Sequence, residues 1–531
     1  MEENSKVKYG GLRVGVFSVS VIVTVAICIF LLANSETSGA MLAVLYSFIT
    51  SKIGWAFSIY GVFALAFLIW LAFSKYGKIK LGAPGDKPKY KKIQWIAMLF
   101  CTGQGATLIH WSIVEPIQYS AGPPYGLAAG SVEASEYAAT YGMFHWGPIA
   151  WAVMVIPAVP LAYYFLVKRK PNITMATPFE GRLSQTWINV IDVLVLFTCI
   201  ANACTSLGLA SPTISALISS VFGVEQTTIL NIVVLLIFIA IFSTSAGLGL
   251  DRGIKRLSMV NLYLVYGLLA IVLLLGPSVF IMNNFSNSLS VMINDFFRMA
   301  LYTDPYGKSG FPQDWTIFYW AWWISAVPYT AIFIAKISKG RTIREVAIGG
   351  FLWGSLGDFV SFAILGGSAM YSMTEQGNDL ISIYNESGMA AAVAKVITDL
   401  PIGTVLAPAF IISMFIFSST TYDSCTYVMA NVAHKGRTIN DEAPGWQRIL
   451  WAAVTALAAG TLLWLGGLKP LQSFAVVVAI PMTVICIATV VVFLKDIKKD
   501  YTLNFGEKND VLEMKVSEEI PVQAEPEAAA E

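Results

Sequence analysis

Twelve stretches of the chain are apolar over about 20 consecutive residues, the length that a helix needs to cross the hydrocarbon core of a bilayer. They lie near residues 12–33, 53–74, 93–114, 142–166, 189–211, 227–247, 258–281, 316–336, 346–372, 401–432, 448–467 and 472–494. The first stretch has span length and lacks a convincing cleavage site, so we expect a membrane helix there and not a removed signal peptide. The pattern predicts an all-α polytopic membrane protein with 12 transmembrane helices.

Positive charge is distributed unevenly over the connections between these stretches. If the N-terminus is cytoplasmic, 29 of the 34 Lys and Arg residues fall on the cytoplasmic side. The five on the other side are Lys52, Arg298, Lys308, Lys395 and Lys469. Because cytoplasmic loops are enriched in Lys and Arg, this split predicts a multi-pass protein of the cell membrane with both termini inside.

Two segments outside the spans have patterns of their own. Apolar residues recur at helical spacing among Asn, Ser and Asp at Leu289, Met292, Ile293, Phe296 and Ala300. This pattern predicts an amphipathic helix at the outer interface. Residues 495–531 become acidic and low in complexity, which predicts a cytoplasmic disordered tail.

The segment 311–345 has the densest aromatic cluster of the chain. Trp315, Trp320, Trp322 and Trp323 fall within nine residues of one apolar stretch. Pro328 follows about one turn later, so we expect the helix to kink or unwind there. A broken membrane helix beside indole faces favours a site for an organic cation, whereas an interfacial tryptophan belt would lie at the ends of the segment.

Composition excludes several classes of protein. With 56% hydrophobic and 13% charged residues, the chain is too apolar for a soluble protein. A net charge of +1 gives no reason to expect nucleic acid, and six cysteines in apolar runs with three histidines suggest neither a disulfide framework nor a metal centre. We find no Walker motif and no nucleophile, metal cluster or cofactor motif, so we expect neither an ATP-driven pump nor an enzyme, and no cofactor.

Several motifs together resemble one family of transporters. The run FPQDWTIFYWAWW followed by KISKGRTIRE resembles the betaine/choline/carnitine transporter family, as do the segments 145–148 (HWGP) and 205–209 (TSLGL) and the pair Glu115-Pro116. The resemblance extends from the first span to about Asp500. It implies a LeuT-like fold, in which two inverted repeats of five helices follow two N-terminal helices, and a homotrimer in the lipid membrane.

This fold divides the chain into six segments. They are a cytoplasmic N-terminus (1–11), two N-terminal helices (12–92), the first repeat (93–281), an external amphipathic helix and loop (282–315), the second repeat (316–494) and the tail (495–531). In the family each repeat opens on an interrupted helix. Gly103-Gln104-Gly105 in the third span and Pro328 in the eighth suit such interruptions, and paired interruptions point to a midplane binding site. Close helix packing explains the glycines equally well.

The resemblance also assigns site residues. It implies an aromatic cage for a quaternary ammonium group, built from Trp146, Trp151, Trp322 and Trp323 with Gln118, Ala326 and Tyr329. Ala326 stands where family members usually have Trp or Tyr, and Met154 where glycine betaine carriers have Tyr. The cage is therefore less aromatic, which leaves a larger or less methylated ligand open.

For the coupling ion, the resemblance implies sodium at Thr420 and Thr421, between the third and tenth spans and beside Gly103 and Gly105. The alternative is that these hydroxyl groups only bond carbonyls of their own helix. Asn261 stands where sodium-independent carnitine exchangers have an arginine, which favours a symporter. Five ionisable residues inside spans are further candidates for a function, namely Glu115, Asp192, Asp358, Asp423 and His110.

We therefore predict a secondary transporter that imports glycine betaine, carnitine, choline or a related betaine by alternating access, with sodium as the coupling ion. The main alternative is a sodium-independent exchanger of substrate against product. A membrane enzyme lacks a recognisable catalytic motif here, and a channel fits two broken helices around a cage less well.

Overall fold

The computed structural model describes residues 11–249, 255–438, 441, 444–465, 468–508 and 511–514. The predicted cytoplasmic N-terminus lies outside these residues except for Gly11. Apart from two short strands near the C-terminal end, the regular structure in the described part of the chain is helical.

The first part of the chain forms α1 (Val14–Ala33), α2 (Ser35–Lys52), α3 (Gly54–Phe73), α4 (Lys92–Gly103), α5 (Thr107–Ala121), α6 (Val132–His145), α7 (Pro148–Val155), α8 (Ala158–Ala162), α9 (Gln185–Phe222), α10 (Thr228–Gly249) and α11 (Lys255–Leu275). The second part forms α12 (Ser278–Asn294), α13 (Phe296–Leu301), α14 (Phe311–Asp314), α15 (Thr316–Ile337), α16 (Ile343–Ser361), α17 (Gly367–Thr374), α18 (Leu380–Ser387), α19 (Met389–Asp399), α20 (Gly403–Val432), α21 (Gly445–Trp464) and α22 (Leu468–Asn504). A π-helical turn continues α8 over Tyr163–Val167, and another joins α16 to α17 over Phe362–Gly366.

Nine helices or helical segments in the described part of the chain are long and apolar enough to cross a membrane. Each predicted span falls on helical structure. Three of the predicted spans do not meet this length and hydropathy criterion: the third, which is divided into the short helices α4 and α5, the sixth (α10) and the eleventh (α21). The prediction of a multi-pass helical membrane protein is therefore confirmed. The count of twelve spans and the inverted repeats stay predictions.

Two elements differ from the sequence prediction. Helix α2 occupies the connection between the first two predicted spans, and the sequence analysis did not anticipate it. The segment 495–531 was predicted to be disordered, but α22 continues to Asn504 and two antiparallel strands follow, β1 (Phe505–Lys508) and β2 (Val511–Met514). Residues 515–531 lie outside the described residues. The predicted amphipathic segment is helical, as α12 and α13.

The predicted interruptions differ between the two repeats. The third span breaks between α4 and α5, at residues 104–106. The fourth span breaks between α6 and α7, where Pro148 has no N–H for the carbonyl of Phe144. The eighth span, however, stays one helix through Pro328, so it does not unwind there, and a kink stays a prediction. Proline removes a single backbone donor, and α15 is enclosed by α7, α9, α20 and α22, which hold it in place.

Helix α15 lies at the centre of the molecule. All of its 22 residues are buried, from Thr316 to Ile337. The segment Val132–Val167 contains α6 to α8. Its most apolar stretch of membrane-spanning length is also fully buried. A helix that is apolar on all sides belongs in a core, and here the two buried segments pack against each other.

Gly354 of α16 allows close packing against α7. A Cβ atom at Gly354 would lie 2.1 Å from an atom of the Trp151 ring. We expect Gly354→Ala to lower the free energy of unfolding by about 1–3 kcal/mol, the usual cost of overpacking a core. The measurement is the midpoint of thermal denaturation of the purified protein in detergent.

Gly267→Ala is the matched control, because a Cβ atom there has no neighbour within 4 Å. Equal denaturation midpoints for the two variants would contradict this packing.

Candidate functional site

Three tryptophans of the predicted cage contact one another. The rings of Trp322 and Trp323 are stacked, with centroids 5.4 Å apart and an interplanar angle of 17°. The ring of Trp146 is nearly perpendicular to both, with its centroid 4.8 Å from that of Trp323 and 6.0 Å from that of Trp322. Tyr319 adds a fourth ring within 6.2 Å of each of the three tryptophans. The cluster is buried and presents several π faces in one place.

The break in the fourth span positions Trp146 against α15. Gly147 adopts an extended conformation, and α7 begins at Pro148. The break frees the carbonyl of His145, which accepts a hydrogen bond from the indole N–H of Trp323 at 2.9 Å. The Gly147-Pro148 pair therefore breaks the helix and leaves the carbonyl of His145 free to bond Trp323.

Trp151 belongs to a separate group of contacts. Its ring stacks on Phe100 of α4, with centroids 6.2 Å apart, and no ring contact joins it to the other three tryptophans in the described structure. Gly103 brings α4 close to it, since a Cβ atom there would lie 2.6 Å from the Trp151 ring. The structure therefore brings together three of the four predicted cage tryptophans.

A buried cavity lies beside the stacked tryptophans. Its volume is about 20 Å³, room for about one water molecule and far below the range of about 300–1,000 Å³ for small-molecule sites, so a ligand has to move the wall apart. Seven of the eleven predicted site residues line it, namely Trp322, Trp323, Ala326, Tyr329, Gly103, Gly105 and Thr421. The cavity thus adjoins both the break in the third span and the aromatic cluster.

The other four predicted residues do not line this cavity. Trp146 contacts the two tryptophans that do, and Trp151 packs behind Gly103. Gln118 donates a hydrogen bond to the hydroxyl of Tyr384 at 2.6 Å. Thr420 donates to the carbonyl of Phe417 in its own helix at 2.8 Å. This is the alternative to ion binding that the sequence analysis left open for the two threonines.

Thr421 makes contacts of a different kind. Its hydroxyl lies 3.1 Å from the carbonyl oxygen of Cys101 and 3.2 Å from that of Phe417, and it also hydrogen-bonds the carbonyl of Gln104. Ser418 accepts a hydrogen bond from the N–H of Ala106 at 3.3 Å. Helix α20 therefore bonds the backbone groups that the break in the third span leaves free.

The sequence analysis missed several polar groups of the cavity wall, and Asn202 is one of them. Asn202 of α9 donates to the hydroxyl of Ser325 at 3.0 Å and accepts a hydrogen bond from the hydroxyl of Tyr329 at 3.2 Å. It lines the cavity together with Ser206, Thr107, Ser418 and Tyr422. A single asparagine in the middle of a long apolar run was the available signal, because such a side chain needs partners inside the membrane.

The ionisable residues inside the spans find different partners. Asp192 pairs with Arg13, and Asp423 pairs with Arg448. His110 shares a hydrogen bond of 2.7 Å with the hydroxyl of Thr213.

Glu115 and Asp358 contact cage tryptophans. Glu115 accepts a hydrogen bond from the indole N–H of Trp146 at 2.6 Å, and Asp358 accepts one from that of Trp151 at 2.7 Å. In the described part of the chain, no group of three His, Cys, Asp or Glu side chains is placed to hold a metal ion.

Comparison with known proteins finds one family model that matches the chain and a solved structure that is similar to it. The model of a family described as BCCT, betaine/carnitine/choline family transporter, matches residues 15–502. A solved structure, described as the substrate-bound outward-open state of a Na⁺-coupled sialic acid symporter, is similar with a TM-score of 0.42 and 13% sequence identity. That alignment covers 83% of this chain and 87% of the other.

Proposed function

Because the chain belongs to the betaine/carnitine/choline family of transporters, we propose that it imports a quaternary ammonium compound by secondary active transport, with sodium as the coupling ion. Membership makes it a membrane transporter. The substrate class and the ion are our proposals. The observation that carries them is one small cavity whose wall includes both the stacked indole rings of Trp322 and Trp323 and the side chain of Thr421.

The aromatic cluster supports the substrate class. A trimethylammonium group has no N–H to donate, so it binds to π faces, and each desolvated indole face contributes roughly 1–2 kcal/mol. Trp322, Trp323 and Trp146 lie close enough for one ligand to reach all three when their rings separate. Three faces together would contribute roughly 3–6 kcal/mol, which corresponds to a dissociation constant between several millimolar and tens of micromolar. The ligand would enter from the cavity, whose wall already includes Trp322 and Trp323.

The oxygens around Thr421 support sodium coupling. Hard oxygen ligands suit a small cation, and the hydroxyl of Thr421 lies within hydrogen-bonding distance of the carbonyls of Cys101 and Phe417. Thr420 shares the carbonyl of Phe417 at 2.8 Å. Gly105 leaves this side of the cavity open, because a Cβ atom there would have the Thr421 hydroxyl oxygen as its nearest neighbour, at 3.6 Å. An ion held here would join α20 to the broken third span and so link its occupancy to the cavity.

Truncating a tryptophan of the cluster tests the substrate proposal. We expect Trp323→Ala and Trp146→Ala each to reduce uptake of labelled glycine betaine, carnitine or choline by about tenfold or more, because each removes one cation-binding face. Uptake is measured in proteoliposomes with equal amounts of inserted protein.

The matched control is Trp187→Ala, which truncates a tryptophan that is 61% exposed on α9. If both cluster variants transport at the wild-type rate, the cage assignment is wrong.

Replacing the hydroxyl of Thr421 tests the ion proposal. We expect Thr421→Val, which keeps the shape of the side chain, to raise the sodium concentration for half-maximal uptake by about tenfold, since losing one hydrogen-bond-sized interaction costs about 1.4 kcal/mol. The readout is uptake as a function of external sodium.

Thr455→Val is the control, because the hydroxyl of Thr455 donates to the carbonyl of Trp451 in its own helix, at 2.8 Å. If uptake by Thr421→Val depends on sodium as in the wild-type protein, the assignment of the ion to Thr421 is wrong.

A further inference from the structure

Two side chains in the wall of the cavity beside the stacked tryptophans each have a buried polar atom without a hydrogen-bond partner among the described residues. The atoms are the indole nitrogen Nε1 of Trp322 and the amide oxygen Oε1 of Gln104. Both side chains belong to residues that are only 2% exposed. Because an indole N–H only donates and an amide oxygen only accepts, the wall has one free donor and one free acceptor.

The amide group of Gln104 is held from behind by Asp358. Its Nε2 group donates to Oδ2 of Asp358 at 3.0 Å, and the same oxygen accepts the indole N–H of Trp151 at 2.7 Å. Since Oδ2 is an acceptor, the NH₂ group of Gln104 belongs on this side and Oε1 is the free end. The assignment needs no charge on Asp358, because a carboxylic acid protonated on its other oxygen accepts in the same way.

Other polar side chains of the wall already bond groups of the protein. They are Asn202, Tyr329, Ser418, Thr421 and Tyr422. A ligand would give Oε1 of Gln104 and Nε1 of Trp322 their first partner in the described structure.

The cavity that these side chains line has the size of one small polar group. Its volume of about 20 Å³ holds about one water molecule. A water molecule there would accept from Trp322 and donate to Gln104, and an entering ligand has to displace it. A group that reproduces both bonds keeps their energy, whereas a group that cannot reproduce them loses affinity.

A hydroxyl group reproduces both bonds, because its oxygen accepts and its proton donates. Choline and carnitine each carry a hydroxyl group on the second carbon from the ammonium nitrogen. Glycine betaine has a carboxylate and no hydroxyl group. A carboxylate accepts from Trp322 but has no proton for Gln104, so it leaves a buried acceptor unpaired.

We propose that Gln104 and Trp322 form a hydroxyl-binding subsite, which selects quaternary ammonium compounds with a hydroxyl group close to the nitrogen over compounds without one. The inference rests on the proposed function and narrows its substrate class. The aromatic cluster binds the trimethylammonium group, and the two free atoms bind the hydroxyl group. The net charge of the ligand plays no part in this selection.

The test uses two pairs of ligands whose members have the same net charge and differ only in the hydroxyl group. The pairs are choline with ethyltrimethylammonium, and carnitine with deoxycarnitine. Dissociation constants are measured by isothermal titration calorimetry of the purified full chain at fixed sodium. In each pair that binds, we expect the hydroxyl compound to bind about tenfold more tightly, because its analogue leaves buried groups unpaired.

Two substitutions each remove one partner of the hydroxyl group. Gln104→Met keeps the length of the side chain without the amide oxygen, and Trp322→Phe keeps an aromatic face without the N–H. We expect each to lower the ratio of the two affinities within a pair by about threefold or more. The ratio is the readout, because the loss of an indole face weakens both members of a pair alike.

Gln185→Met is the control, because Gln185 is exposed at the start of α9 and does not line the cavity. We expect it to keep the wild-type ratio. Equal affinities within each pair for the wild-type protein, or a wild-type ratio in both Gln104→Met and Trp322→Phe, would overturn the proposal. The wild-type comparison stands even if a variant does not fold. Failure to bind any of the four compounds would instead contradict the proposed function.

Discussion

The site depends on one constraint, that backbone groups freed by a broken helix inside a membrane need partners within the protein. In the third span, hydroxyl groups of α20 meet this need: Ser418 accepts from the N–H of Ala106, and Thr421 donates to the carbonyls of the break. In the fourth span, the carbonyl of His145 is bonded by the indole of Trp323. The side chains that we assign to ion and substrate are therefore also those that hold the two breaks.

This double use links binding to conformation. A cation placed between the rings of Trp146 and Trp323 has to separate them from their present distance of 4.8 Å, and Trp323 is hydrogen-bonded to the residue before Trp146. An ion at Thr421 competes in the same way with the bonds that this hydroxyl makes to the third span. Substrate binding at α15 would therefore act on the break in the fourth span, and ion binding at α20 would act on the break in the third span. Alternating access requires such a link between ligand binding and helix position.

The sequence predicted the features that follow from composition and from local motifs. Apolar length located the membrane-length helices, and the glycines at 103 and 105 marked the break in the third span. The break at 147–148 was not predicted, although Gly147-Pro148 was the signal for it. Pro328 does not unwind its helix, because a proline inside a fully enclosed helix removes one hydrogen bond and leaves the packing in place. Helix α2 was missed because its pattern has neither span length in apolar residues nor a strong polar face.

The contacts that define the site needed the structure. Trp151 and Asp358 are 207 positions apart, and Trp146 and Glu115 are 31 positions apart, so no local pattern joins them. The grouping of Trp146 with Trp322 and Trp323, and the separate position of Trp151, depend on how α7 packs between α15 and α16. Asn202 stood out as polar within α9, but its bonds to Ser325 and Tyr329 follow only from the packing of α9 on α15.

The most direct measurement is uptake of labelled glycine betaine, carnitine and choline by the wild-type protein in proteoliposomes, with and without an inward sodium gradient and with and without substrate inside. If the chain is a sodium-coupled importer, at least one of these compounds accumulates in empty vesicles only when the gradient is present. Uptake that occurs only into preloaded vesicles and ignores sodium would show an exchanger and contradict the role given to Thr421.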